Sequence, residues 1–380
     1  MRLLILSAIF SVFFQCTSNE TSTSESTIEV EMIDFNKYDH REYSGSLPDE
    51  LVASRKYILL ENNTIESQLT YIGKLRLRQG KIYVMDLVNP NLLIFDMNGN
   101  LLHKFNRKGE GPGFYQRISD FDLDELGNLY ILDGVVKQIL VFDRELNYTF
   151  SKRLSVDAER IAFVDQDKFL LGLAPWNVLD WSGFRFALAD KDFNVREAWH
   201  KYEDDIDPNV VFDFNFVKSG NQITFNRPID NNVYVLSDVG RNLKVYNFDF
   251  GSQNMPDEVR RDLETHSNSL WKYRFLTNLV AIHHNYIMGT IGEGLMRERN
   301  FLLDRSRNLV FFEKSTVSPA TTDMTIRQDL LFTLSDIDGD KLVSFLHPDS
   351  YERAQEYGLP QEVISHLMNE GYVICLEELK

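Results

Sequence analysis

Apolar and polar positions alternate in short runs along most of the chain, and the runs return at a fixed distance. In G-K-I-Y-V-M-D-L-V-N-P-N-L-L-I-F-D-M-N-G-N-L-L-H-K-F (80–105), one run ends in Asp86 and, after a short loop, a second ends in Phe95-Asp96. A turn then leads into a third run. The same order recurs in G-N-L-Y-I-L-D-G-V-V-K-Q-I-L-V-F-D-R-E-L-N-Y-T-F (127–150), where Asp133 and Asp143 each follow their counterparts by 47 residues. Short alternating runs bounded by Asn, Asp and Gly predict strands joined by tight turns. Asn98-Gly99 supplies the positive φ that a hairpin turn requires.

Weaker copies occupy 167–199, 221–246, 285–312 and 328–345, making six units of roughly four strands each. Units of this length repeating along one chain predict an all-β, six-bladed β-propeller over residues 28–380. A propeller has to close, because an open ring exposes two sheet edges. Ile28–Ile33 and Tyr372–Leu376, at opposite ends of the chain, are the candidate closing strands. Two stretches with helical character, 256–272 and 351–369, interrupt the pattern and are expected as inserts on the rim.

Residues 107–115, R-K-G-E-G-P-G-F-Y, hold three glycines and a proline and pose a choice between a phosphate cradle and a connection between strands. A phosphate loop opens a helix, whose free N–H groups face the anion. Here strand-like residues follow instead, with Ile118, Phe121 and Leu123 set among Ser119, Asp120, Asp122 and Asp124. Pro112 also removes one N–H donor. The loop is read as joining strands.

The run F-N-R-K-G-E-G-P-G-F-Y…I-S-D-F-D-L-D-E-L-G-N-L-Y-I-L-D…I-L-V-F-D resembles the six-bladed propeller lipoproteins of Bacteroidetes, relatives in shape of NHL and TolB-like propellers. Those proteins carry a K-G-x-G-P-G-E-[FY]-like turn between their first two blades, and Phe114 stands here where Glu is common. The resemblance covers nearly the whole mature chain and is most specific over residues 80–145. It implies the fold and an envelope location, and no particular activity.

The N-terminus fits that location. Arg2 precedes an apolar stretch from Leu3 to Phe14, too short to span a bilayer and suited to a signal peptide over residues 1–15. Cys16 follows at once, then a Ser/Thr/Glu tract with no apolar residue before Ile28. This order resembles a bacterial lipoprotein signal, with Cys16 as the lipidated residue and 16–27 as a flexible tether to the outer membrane. An ordinary secretory signal with an incidental Cys is the alternative. Cys375 is the one other cysteine, so a lipidated Cys16 leaves no intrachain disulfide.

Composition narrows the partners. The 380 residues are 43% hydrophobic and carry a net charge of −17. Nucleic acid is excluded as a partner, because neutralising phosphates takes clustered Lys and Arg.

Asp122, Asp124, Gly127 and Asp133 imitate a calcium-binding EF-hand loop, but Leu126 stands where an oxygen ligand is needed, so a turn is expected. D-I-D-G-D (336–340) reads as a hairpin tip, with weak surface cation binding as the second reading. Among eight histidines only His283 and His284 are adjacent. Neighbouring strand residues point to opposite faces, so this pair is not expected to share an ion. No G-x-S-x-G elbow marks a nucleophile.

The loops between second and third strands should share a face with the connections between blades. They gather Arg107, Lys108, Glu110, Tyr115, Trp176, Asp180, Trp181, Arg185, Arg227, Asp230, Glu293, Met296 and Arg297. Arginine and aromatic residues are favoured at binding hot spots. Arg107, Tyr115, Trp176, Trp181, Arg185, Arg227 and Arg297 are therefore the expected ligand-binding set. The alternative is that Trp176 and Trp181 merely fill a long loop. The expectation is a monomeric, lipid-anchored envelope propeller that needs no cofactor. It would bind a carbohydrate, an acidic small molecule or an envelope protein. The runner-up is a metal-dependent hydrolase or lyase with its site in the propeller channel.

Overall fold

The computed structural model describes residues 28–380 apart from 166–167, 202–215, 221, 227–228, 238–241, 278–279, 294–297 and 315–330. Six sheets follow one another along the chain, each built on an antiparallel set of four strand positions. Blade one holds Ile72–Arg78, Lys81–Asp86, Asn91–Asp96 and Leu101–Phe105. Blade two holds Asp120–Leu123, Leu129–Asp133, Gln138–Phe142 and Tyr148–Arg153, and blade three Ala158–Asp165, Lys168–Leu173, Phe184–Asp190 and Val195–Lys201. Blade four is built from Val217–Ser219, Gln222–Asn226, Asn232–Ser237 and Asn242–Asp249. In blade five the innermost line comes in two pieces, Arg274–Leu276 and Ala281–His283, followed by Tyr286–Glu293, Glu298–Asp304 and Leu309–Glu313. Blade six joins Thr333–Asp338, Lys341–Leu346 and Val373–Leu379 to Val52–Leu59 from the N-terminal side.

The six-bladed reading holds, and the closure differs from expectation in one respect. Val373–Leu379 is a closing strand, as the sequence suggested, but its partner is Val52–Leu59, paired antiparallel from Val373↔Leu59 to Leu379↔Val52. Glu29–Asp34 instead adds a parallel fifth strand outside blade four, and Asp39–Tyr43 does the same for blade five. Between them Phe35 is wedged among Phe248, Phe250, Phe301 and Phe312, with ring centroids 4.9–6.1 Å away. These early strands brace the ring from outside; they do not close it. Helices Asp257–Arg261, Tyr351–Glu356 and Gln361–Met368 occupy the two expected inserts.

Each pair of neighbouring blades shares its own apolar layer. Leu75, Leu77 and Val84 of blade one meet Ile58, Val343 and Ile374 of blade six, and equivalent clusters fill the other five junctions. Alternation within each strand produces this, since one face packs on the preceding blade and the other on the next.

Short polar clamps set where strands turn. Asp96 Oδ1 accepts from the amides of Asn98 at 2.8 Å and Asn100 at 2.9 Å, and Asn100 Nδ2 donates to Asp96 Oδ2 at 2.9 Å. Asp124 with Asn128, Asp143 with Asn147 and Asp190 with Asn194 repeat this D-x-x-x-N clamp. The calcium-like stretch at 122–133 is therefore the expected turn. The 47-residue spacing of Asp86 and Asp133 has a physical meaning too. Each carboxylate closes the loop after its own strand and also accepts an amide from the incoming connection, Thr70 N at 3.0 Å or Gln116 N at 2.6 Å.

Candidate functional site

The loop at 107–115 is the connection between blades one and two. Gly109 N donates to Tyr115 O and Tyr115 N to Arg107 O, both at 3.0 Å, so the loop folds back on itself. The Tyr115 side chain is buried, and its hydroxyl donates to Pro90 O at 2.7 Å while accepting from Arg107 N at 3.1 Å. The Arg107 guanidinium lies over the rings of Phe105 and Phe142 and donates to Leu146 O. Gly113 has φ +79°, and a Cβ there would lie 2.9 Å from the Tyr148 side chain. Arg107 and Tyr115, expected to bind ligand, hold the loop together.

The other expected residues divide. Arg185 is only 2% exposed and donates to Lys201 O, because its strand turns the side chain into the blade. Trp181 is half-buried against the core between blades two and three. Asp230 is buried and accepts the Tyr234 hydroxyl, and Glu293 pairs with Arg274 at 2.8 Å. Trp176 stands out into solvent, 61% exposed. Arg227, Met296, Arg297 and Cys16 lie outside the described residues.

What gathers on the inter-blade face is an apolar arc. The loops after the second strands of blades one, two and three present Leu87 and Val88, Val135 and Val136, then Trp176, Val178 and Leu179, all exposed. Their bases are pinned. Asp86 and Asp133 hold the first two loops, and Asn177, itself buried, accepts from Asp157 N and donates to Asp157 O and Ala174 O, each at 2.8 Å. Beside the arc is a cavity of about 70 Å³ whose lining includes Leu87, Arg117, Ser119, Asp120 and Arg160.

The axis of the ring carries charges that sequence reasoning missed. In G-K-L-R-L-R (73–78) the leucines enter the layer between blades, so Lys74 and Arg76 turn towards the axis. Lys74 Nζ meets Asp120 Oδ1 at 2.6 Å, and Arg76 Nη1 meets Asp336 Oδ1 at 3.1 Å. Arg76 Nη2 crosses to Phe216 O, 2.7 Å away beside blade four. Arg78 takes the other oxygen of Asp336 at 3.0 Å.

The same aspartates tie inner strands together. Asp120 accepts from Ile161 N and Asp122 from Phe163 N, both at 2.8 Å, and Asp336 accepts from Leu77 N at 3.2 Å. Burial pushes the Asp122 carboxyl up, but Arg76, Lys74 and Arg78 outweigh it and hold the group below its usual range. Burial acts the other way on Lys74, pulling its ammonium down to about 8 against the attraction of Asp120.

At the opposite mouth, the first hairpin tips of blades four, five and six converge, and here the expectation that the two histidines point to opposite faces is corrected. His284 has left the strand with φ +51°, so its ring does not point away from that of His283; the ring centroids are 4.2 Å apart. Both Nε2 atoms lie 3.3 Å from Asp340 Oδ1, and His283 Nδ1 is 2.9 Å from Ser219 Oγ. Burial and the neighbouring His284 hold the His283 imidazole below its ordinary pKa.

Comparison with known proteins agrees with this architecture. Among curated proteins none matches the chain. A protein of Bacteroides fragilis NCTC 9343, described as exported, superposes with a TM-score of 0.69 at 15% identity, covering 92% of this chain and all of its own. A member of the DUF4221 family from Bacteroides vulgatus superposes at 0.52 and 11% identity, covering 87% of this chain and 98% of its own. These likenesses are of fold. The sequence profile of DUF5128, described as a 6-bladed beta-propeller, matches residues 19–287. With blades, closure and profile in agreement, the chain belongs to the DUF5128 family of six-bladed β-propellers.

Proposed function

We propose that the protein is a lipid-anchored propeller of the bacterial cell envelope that binds a partner protein across its inter-blade face. The observation that carries this reading is the apolar arc. Val88, Val135, Trp176 and Leu179 are 64%, 62%, 61% and 87% exposed, on loops held rigidly from below. Large apolar side chains exposed on the same loop of three successive blades are costly to leave in water, and exposed apolar patches mark interaction sites. Rigid presentation keeps the ordering entropy of binding small. The adjoining cavity, with Arg117 and Arg160 in its wall, suits a carboxylate side chain of that partner. A metal-dependent hydrolase or lyase working within the channel has less behind it, because Lys74, Arg76, Asp120, Asp122 and Asp336 at the axis are buried in ion pairs and hydrogen bonds with the protein itself.

Site-specific photo-crosslinking in cells tests the reading. A crosslinker at position 88 should yield one dominant adduct, and one at Leu102, exposed on the outer strand of blade one, should not. Combining Trp176→Ala with Leu179→Ser should weaken the adduct at position 88 about thirtyfold, the equivalent of ~2 kcal/mol for a hot spot. Equal labelling at 88 and 102 would overturn the proposal.

The anchor is tested separately. Cys16→Ser is expected to move the protein from the membrane pellet to the soluble fraction, since each acyl CH₂ contributes roughly 0.8 kcal/mol of membrane binding. Unchanged pelleting would remove the lipoprotein reading.

A further inference from the structure

We propose that His283, His284 and Asp340 bind one divalent transition-metal ion, with Zn²⁺ the physiological occupant. A tetrahedral site with bonds of about 2.0–2.1 Å has ligand–ligand edges of roughly 3.3–3.4 Å. The two edges from Asp340 Oδ1 to the histidine Nε2 atoms are both 3.3 Å. All three ligand atoms lie within 4.8 Å of one another, and the His284 side chain that sets the remaining edge is exposed, 72%.

The surroundings prepare the ligands. Ser219 Oγ engages Nδ1 of the buried His283, which orients the ring and leaves Nε2 for the ion, the usual task of an outer partner at a metal-bound histidine. His284 is brought alongside by its left-handed backbone, and Asp340 by the Gly339 turn at φ +60°. His283 and His284 come from the tip of blade five and Asp340 from that of blade six, so the ion would bridge these two blades, with Ser219 of blade four holding one ligand in place. Two imidazoles and one carboxylate favour Zn²⁺ over Ca²⁺ or Mg²⁺, which take oxygen ligands. With three protein ligands the fourth position faces solvent and is open to water or an exogenous ligand.

Equilibrium dialysis of untagged, metal-stripped protein against Zn²⁺ should find one ion per chain, undisplaced by millimolar Ca²⁺. Co²⁺ in its place should give the visible absorption of a tetrahedral site. His284→Asn keeps a residue that accepts positive φ, and Asp340→Asn keeps the side-chain shape. Each should lower Zn²⁺ affinity roughly tenfold or more, and Ser219→Ala about tenfold. Both ligand positions are exposed, so the metal-free melting temperature should not change. No stoichiometric binding, or binding that both ligand variants leave intact, would overturn the site. Displacement by Ca²⁺ would also overturn it, showing only loose attraction to an acidic surface.

Discussion

Arg76→Met is expected to lower the stability of the propeller by about 3–5 kcal/mol, the usual cost of removing one partner from a buried ion pair. The substitution is close in length and apolar, so the loss would come from the charges left behind. Asp336 would keep Arg78, but Asp122 would lose its nearest guanidinium at 3.5 Å, and Phe216 O would lose its donor across the axis. Arg78→Met should cost far less, because that side chain is 20% exposed and water can replace it. Equilibrium unfolding in guanidinium chloride measures both. Combining Arg76→Met with Asp122→Asn should recover part of the loss, since the orphaned charge goes too. A cost below about 1 kcal/mol for Arg76→Met would mean that water reaches the axis and the network is not a structural plug.

The repeat, the blade count and the role of the glycine loop at 107–115 were legible because they rest on local pattern. Asp86 and Asp133 recur in register because each performs the same two tasks, closing one loop and receiving one connection. The axis charges were visible as letters but were missed. K-L-R-L-R and D-F-D-L-D alternate charge with apolar residues, which ordinarily marks a solvated face. Only the ring turns that face inward. Arg185 illustrates the reverse problem: next to a loop an arginine looks available, and strand phase alone decides that it is buried. His284 depended on one backbone angle. A positive φ at a residue other than glycine leaves no trace in the sequence, yet it brings two adjacent histidines to one side. The partner of the closing strand was unreadable for another reason. Three N-terminal strands have similar propensity, and long-range pairing chose the third.

That pairing carries the largest expected effect. Deleting residues 371–380 removes Val373–Leu379, which hydrogen-bonds on one side to Lys341–Leu346 and on the other to Val52–Leu59. Tyr372, Val373, Ile374, Cys375 and Leu376 are all buried, in the layer towards blade one and beneath the helical insert. At about 1.5–3 kcal/mol for each buried apolar side chain, their loss rivals the roughly 5–15 kcal/mol that keeps a domain folded. The ring would also open between blades six and one, exposing strand edges that invite aggregation. The truncated protein should therefore show no cooperative thermal transition and should be recovered largely insoluble. Deleting residues 28–43 is the informative contrast. It strips the two parallel outer strands and Phe35 but leaves Val52–Leu59 in place, so the ring stays closed. That variant should melt cooperatively at a lower temperature, by an amount set mainly by losing buried Phe35, at ~3–5 kcal/mol, and buried Ile33, at ~2–5 kcal/mol. Calorimetry on the two truncations separates the roles. If the protein lacking 371–380 melted like the intact chain, closure through Val52–Leu59 would be wrong. If the protein lacking 28–43 failed to fold, the outer strands would be part of the closure after all.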